Sequence, residues 1–582
     1  MSVTKPFPLH IVIYITILTA IPFALLLLLE LSLRLFNYGI NSEPLVPDPR
    51  SPGYVTSPSN YLQLFHTSRL PERINPFDPE IRFQEKKEMN FLRGFVLGES
   101  TAAGFPYSRG LSFSNLAEKM MQSESKKVEI INLSASAMSS YYVRFTAGKL
   151  LKYKPDFLIL YLGHNEYYGT ISAINSNHLL NLLHLWLLDW KTAQLLDSIL
   201  NPKKPLNKSL MASQWDEKRI PQSLERDKNL QLAFESNIGY VLKLYEDAGI
   251  PVYLFDPVSN LITFPPFAAD ENRAEYSNAV RGTWKSLILD SASSDLDNLT
   301  KSFPNQSHTY WLQATDKLLQ NREFDMDLFT KAKDKDAIPF RARSWISNSL
   351  ETLSKTYKNV NFIPTGAILN EQYGALGFGD KVFIDHLHFT HEGNYILGSI
   401  LANLIEDKNS FENLPSLNSM DASSFDKFDY TPLQELSADF SIFKIVSDEP
   451  YHSMLISYSP PLKSRIDSNP YALNKTLLEA LGQLEDMGNF EAGIQILLAN
   501  GKINEALKES RALNSLFPGS TSGPWFESEI LLKTGSKDIE PLKLWLEGWK
   551  RAGSPEKSFT DFSIQIQRNG SDAQKDFLQK LF

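Results

Sequence analysis

Chemistry-bearing side chains recur in this chain where short apolar runs end. In FVLGESTAAGFPY, Phe95 to Tyr107, an apolar run stops at Gly98-Glu99-Ser100 and passes into small residues. Such an ending delivers a serine from a buried strand into the turn before a helix, with Gly98 supplying a backbone conformation that other residues resist. Ser100 is therefore a candidate nucleophile, although a serine at such a junction is also a common helix N-cap. After a second run comes NLSASA, Asn132 to Ala137, and after a third GHNE, which contains Asn165. Near residue 390, DHLHFTHEGN sets Asp385 three residues before His388, ahead of a helical run that starts at Gly393. Acyl transfer by a serine needs a base for the hydroxyl proton, a carboxylate to fix the base's tautomer, and donors for the developing oxyanion. These blocks offer all three in chain order. Asn165 as a helix cap and Asp385 as a turn residue are the plainer readings. The cluster Asp385, His386, His388 and His391 also has a metal reading, since H-x-H can ligate zinc. That reading leaves the serine and asparagine blocks unexplained, so neither a metal nor a cofactor is expected.

The elements that must position these residues follow from the same apolar runs. Buried strands are predicted at 94–98, 128–133, 156–162, 251–255 and 360–363, separated by helix-length segments. This alternation predicts an α/β unit with a parallel sheet and helices on both faces, and ligands in such sheets bind at the carboxyl ends of the strands. A helical insertion at about 170–240 includes HLLNLLHLWLLDW, His178 to Trp190, which is apolar nearly all round. It is expected to be a helix buried against the domain, with an interfacial lid as the alternative. A second insertion, 263–340, is polar and helical in composition and is followed by Arg341 and Arg343. Those two arginines are candidates to bind an anionic substrate group, and pairing with surface acids is their ordinary use.

The rest of the chain bounds organisation and location. At 582 residues it exceeds one compact core, and a net charge of -9 without a basic tract gives no support to a nucleic-acid partner. With no cysteine there is no disulfide framework and no thiolate site. Ile11 to Leu29 carries no charge, and with its extension to Phe36 it predicts a transmembrane helix within 1–40, with Glu30 and Arg34 paired at its far end. A cleaved signal peptide is less well supported, because no A-x-A-like site follows the run. The expectation is a single-pass membrane protein, anchored through 11–36, whose catalytic domain is periplasmic or otherwise extracytoplasmic. Residues 41–90 read as an extended spacer and 408–470 as a linker, both rich in Ser, Pro and charge. In 471–582, GKINEALKESRALNSLFPGS is similar to the second half of a tetratricopeptide repeat, with Gly501, Ala506 and Pro518 in the expected places and Gly535 beginning a second unit. The helices from Asn474 onward are expected to stack on it, either as a surface for a protein partner or as a cap on the domain before it.

Taken in order, the four blocks resemble the SGNH hydrolases, the GDSL-like esterase and lipase family, over 91–407. The resemblance implies a flavodoxin-like three-layer sandwich with a parallel sheet. It implies Ser100 as nucleophile, His388 as general base and Asp385 as the partner that orients it. It also implies an oxyanion hole from the backbone N–H groups of Ser100 and Ala137 and the side-chain amide of Asn165. Ala137 stands where the family usually has glycine, and its N–H is expected to survive the exchange with a negative φ. Glu99 replaces the usual aspartate, and His164-Asn165-Glu166 stands where Gly-Asn-Asp is commoner. The implied activity is that of a serine ester hydrolase acting on an O-acylated small molecule, glycan or lipid. Envelope glycans or lipids are favoured by the expected anchor. An O-acyltransferase using the same site, and a silent domain serving as an assembly platform, are the alternatives.

Overall fold

The computed structural model describes residues 9–70, 81–122, 127–174, 176–206, 209–215, 218–289, 293–406, 414–418, 420, 425, 427–472, 476 and 487–581. A small antiparallel sheet of β1 (Val46–Pro47), β2 (Tyr54–Thr56) and β3 (Arg82–Gln84) precedes the main one. The main sheet contains β4 (Phe91–Gly98), β5 (Lys127–Asn132), β6 (Phe157–Tyr161), β7 (Val252–Phe255) and β8 (Val360–Ile363). All pairings are parallel, in the order β5-β4-β6-β7-β8. Counted within this sheet the order is 2-1-3-4-5, a doubly wound pattern whose direction of winding reverses at the first strand, here β4.

Why both faces are covered is visible in the strand residues. Phe95, Leu97, Leu158, Leu160, Val252 and Leu254 point into one core with helices Ser140–Leu150, Leu224–Asp247 and Ser344–Thr356. Val96, Ile159, Tyr161 and Phe255 point into the other with helices Phe113–Met120, Ser307–Asn321 and His391–Ile405. This alternation is the period-two geometry of a strand, and being apolar on both faces is what a sheet covered by helices requires. Gly98 does not adopt a left-handed conformation. It is needed because a Cβ there would overlap the Tyr161 carbonyl oxygen of neighbouring β6.

Several expectations are corrected. Among the described residues no helix is long and apolar enough to cross a membrane, which overturns the transmembrane anchor at 11–36 and the single-pass location. Helix Leu9–Leu35 is held by its far end to the protein itself. Glu30 is buried and accepts from the backbone N–H of Lys191 (3.1 Å) and Thr192 (2.7 Å), at the first turn of helix Lys191–Leu200. Arg34 pairs with Glu30 at 2.7 Å and donates to the Asp189 carbonyl at 2.7 Å, so the charges expected near headgroups serve a helix junction. Residues 1–8, with Lys5, lie outside the described residues.

The stretch 41–90 is more than an extended spacer. Leu45, Val55, Tyr61 and Phe83 share the core of Phe95, and Asp48 joins Arg50 (3.0 Å) to Arg82 (3.2 Å). Residues 408–470, read as a linker, carry helices Pro432–Val446 and Leu462–Ser468. Helix His178–Leu187 is buried along one stripe only: Asn181 and Leu185 face inward, while Leu179 (72% exposed), Leu180 (62%) and Trp186 (55%) face outward.

The C-terminal part is a succession of helices: Met487–Ala499, Ile503–Leu516, Ser522–Lys533, Glu540–Arg551, Glu556–Asn569 and Asp572–Gln579. Gly501 and Gly535 close two of them in the left-handed conformation, at φ 72° and 84°. The start expected at Asn474 lies outside the described residues.

Candidate active site

Ser100 opens the four-residue helix Ser100–Ala103 at the end of β4. The capping position belongs to Glu99, and the serine hydroxyl is turned to His388, with Oγ 2.7 Å from Nε2. His388 Nδ1 lies 2.7 Å from Asp385 Oδ2. The other oxygen, Oδ1, accepts from the backbone N–H of Leu387 (2.9 Å) and of His388 (2.8 Å). A carboxylate only accepts, so Nδ1 carries the ring proton and Nε2 is free to accept from the serine hydroxyl. Burial works to raise the Asp385 carboxyl, yet the His388 imidazole holds it well below the ordinary carboxylate range. The edge of Phe105 packs on the His388 ring with centroids 4.8 Å apart.

The asparagine turn is held from below by Glu99. Its Oε1 accepts from the N–H groups of Gly163 (2.8 Å) and Asn165 (3.0 Å), and its Oε2 accepts from that of His164 (3.0 Å). Glu99 thus ties the serine turn to the asparagine turn. Burial pushes the Glu99 carboxyl up to about 8, against the pull of these three donors. The Asn165 backbone N–H is committed to Glu99, and its side-chain amide forms no hydrogen bond among the described residues. Next in sequence, Glu166 accepts from the Ser140 N–H (2.7 Å) and hydroxyl (2.9 Å), which anchors the start of helix Ser140–Leu150. Burial raises that carboxyl to about 7.

Ala137 differs from expectation: its φ is 66°, in the left-handed region. A Cβ makes that conformation cost about 1–2 kcal/mol, a cost glycine does not carry. The Ala137 carbonyl is held by the Thr170 N–H at 3.0 Å. Upstream in the same block, Asn132 donates to the Ala102 carbonyl (2.7 Å), and Arg109 grips the carbonyls of Asn132 (3.0 Å) and Ser134 (2.7 Å).

Arg341 and Arg343 are not placed to meet a substrate. Both are buried, Arg341 donating to the Asn260 carbonyl (2.9 Å) and pairing with Asp336 (3.3 Å), and Arg343 pairing with Asp227 (3.1 Å). The metal reading meets a partial fit: Asp385, His386 and His388 have ligand atoms within 4.8 Å of one another. Both coordinating nitrogens of His388 are engaged, by Ser100 and by Asp385, and His386 Nδ1 lies 2.9 Å from the Tyr451 hydroxyl. His391 faces elsewhere, 3.2 Å from Glu392.

Three contributors went unread in the sequence. Asn260, five residues after β7, donates its backbone N–H to the His386 carbonyl (3.0 Å) and its amide to the Asp385 carbonyl (3.1 Å), which fixes the loop that carries His388. The rule that picks out residues following a strand, applied to β7, would have stopped on it. His164 is buried with Nδ1 accepting from the Ala342 N–H (3.0 Å), and burial followed by the nearby His386 and His388 keeps it neutral. Tyr451 comes from the stretch read as linker. No protein-family model matches the chain, and no curated protein matches it in sequence.

Proposed function

We propose that the chain is a serine ester hydrolase working through an acyl-serine. The observation that carries this reading is the continuous line Asp385–His388–Ser100, with both links at 2.7 Å. In the first half-reaction the Ser100 oxygen attacks the ester carbonyl carbon as its proton passes to His388 Nε2. The imidazolium that forms faces the Asp385 carboxylate. Collapse of the tetrahedral intermediate breaks the bond to the alcohol oxygen, which leaves with the proton from His388. Water then repeats the sequence on the acyl-serine and releases the acid. The Asn165 amide and the N–H groups of Ser100 and Ala137 are the proposed oxyanion donors. The resemblance of the four blocks to the SGNH hydrolases supports the reading. So does Ala137, since strained backbone persists where the surroundings over-determine it and gathers at functional sites. The substrate class is an O-acyl ester; the preference for envelope glycans and lipids rested on the anchor and falls with it.

The deciding experiment is labelling of the full chain by a fluorophosphonate, followed by peptide mass spectrometry. Adduct at Ser100, lost in Ser100→Ala with an unchanged circular dichroism spectrum, is the expected result. A folded wild-type protein that takes no label at Ser100 would refute the proposal.

A further inference from the structure

The carboxylate of the triad has two histidine neighbours. His388 takes Oδ2, and His386 Nδ1 lies 3.4 Å from Oδ1. A second imidazole donor on Asp385 would compete with His388 for the same negative charge, so the proton on His386 must be kept away from that oxygen. The Tyr451 hydroxyl is the closer neighbour of His386 Nδ1, at 2.9 Å. A hydroxyl that donates to Nδ1 satisfies its own buried proton and leaves the ring proton on Nε2. Were Nδ1 the donor instead, the tyrosine proton would need another acceptor, and the hydrogen bond to His386 is the only one this hydroxyl makes among the described residues.

The surroundings fix this pair. The His386 ring is packed by Phe264, Phe267 and Tyr451 at centroid distances of 5.6, 5.3 and 6.0 Å, and its carbonyl is held by the Asn260 N–H. The charged and titratable groups facing it are Asp385, His388, Arg341, His164 and Tyr451. Arg341 is itself paired with Asp336. Burial lowers the affinity of His386 for a second proton, against the pull of Asp385, and burial keeps the Tyr451 hydroxyl protonated.

We propose that Tyr451 is a positioning residue of the active site: by donating to His386 it selects the imidazole tautomer that leaves the Asp385 charge to His388. The inference rests on the serine-hydrolase reading of Ser100, His388 and Asp385. It assigns the chain beyond the α/β unit a part in setting the base.

In Tyr451→Phe the hydroxyl is gone, His386 can move its proton to Nδ1, and Asp385 Oδ1 becomes the acceptor within reach. The test compares the full-length wild type, Tyr451→Phe, His386→Gln and the double variant. With p-nitrophenyl acetate as probe, kcat of Tyr451→Phe should fall about tenfold with KM unchanged. The acid limb of its kcat/KM profile should move to lower pH. The low-field proton between His388 and Asp385, observed by NMR with 15N-labelled histidine, should shift upfield. Adding Tyr451→Phe to His386→Gln should change nothing more, because the tyrosine acts through that ring. Wild-type kcat with an unmoved proton overturns the proposal. So do additive losses in the double variant, and so does a lowered melting temperature with an unmoved proton, which makes Tyr451 a packing residue. The NMR comparison needs no turnover, so it decides the proposal even if the protein cleaves no ester.

Discussion

Replacing Glu99 by glutamine keeps the shape of a side chain that is 1% exposed and removes its ability to ionise. Two effects of opposite sign follow. The amide oxygen can keep the two N–H donors at the Oε1 position, but its NH2 then faces the His164 N–H, and the lost bond costs about 1–3 kcal/mol at any pH. Against this, the wild-type carboxyl is raised by burial from an ordinary value of 4.5 to about 8. Between those values the folded protein binds more protons here than the unfolded chain does, so this group's contribution to stability falls as pH rises. Against the fully protonated state the loss is about 1 kcal/mol at pH 5 and about 3 kcal/mol at pH 7, at 1.36 kcal/mol for each pH unit above 4.5. Glutamine has no such loss. The stability of wild type relative to Glu99→Gln should therefore drop by about 2–3 kcal/mol between pH 5 and pH 7. Urea denaturation of both proteins at pH 5, 6, 7 and 8 measures this, and every other titrating group cancels in the difference. Parallel curves would show that Glu99 titrates alike in the folded and unfolded chain. A wild-type advantage that grows with pH would show that the three N–H donors outweigh burial, and would reverse the sign argued here.

Asn165→Ala should lower kcat by about 10²–10³-fold with a smaller change in KM, because the amide is proposed to meet charge that develops in the transition state; a change confined to KM would make it a substrate-binding residue. Ala137→Gly should retain activity and leave stability unchanged or raised by up to about 1 kcal/mol, since relief of the left-handed alanine exceeds or balances the added chain entropy. A thermal melt showing clear destabilisation would contradict the φ of 66°. Leu185→Asp should destabilise the protein by several kcal/mol, whereas Trp186→Asp, at a position 55% exposed, should leave the melting temperature nearly unchanged; equal losses would refute the one-sided burial of that helix. Ester hydrolysis should withstand EDTA, and activity that is lost to the chelator and restored by zinc would favour the metal reading of Asp385, His386 and His388.

The fold was legible where local pattern and tertiary role coincide. The central strands are short runs apolar on both faces, and a parallel sheet covered by helices makes that demand, so the runs at 94–98 and 156–162 mark β4 and β6 directly. The N-terminal helix was misread because hydropathy is local: the groups that bury Glu30 belong to Lys191 and Thr192, some 160 residues away. Arg341 and Arg343 were misread for the same reason, since a charged pair in sequence does not show that Asp336 and Asp227 wait inside the fold. The outward face of His178–Leu187 is a different failure. Leucine and tryptophan predict burial, and nothing in the residue types says which half of a uniformly apolar helix will find a core.

Ser100 and Asn165 of the candidate site were readable as residues following strands, because the carboxyl edge of a doubly wound sheet is where side chains from separate strands converge, and Asp385 and His388 by their spacing ahead of helix His391–Ile405. What that rule misses are the groups that set those residues at the right angle. Glu99 holds its turn through backbone N–H groups, which every residue but proline possesses and whose partners no sequence reveals. Tyr451 and Tyr458 meet the loop that carries His388, the former at His386 Nδ1 and the latter donating to the Ile384 carbonyl at 3.3 Å. Ile384 shares one apolar cluster with Tyr107 and Leu111, downstream of Ser100, with Leu433 of helix Pro432–Val446 and with Leu516 of helix Ile503–Leu516. The turns that present serine and histidine therefore lean on a core completed by residues beyond 430.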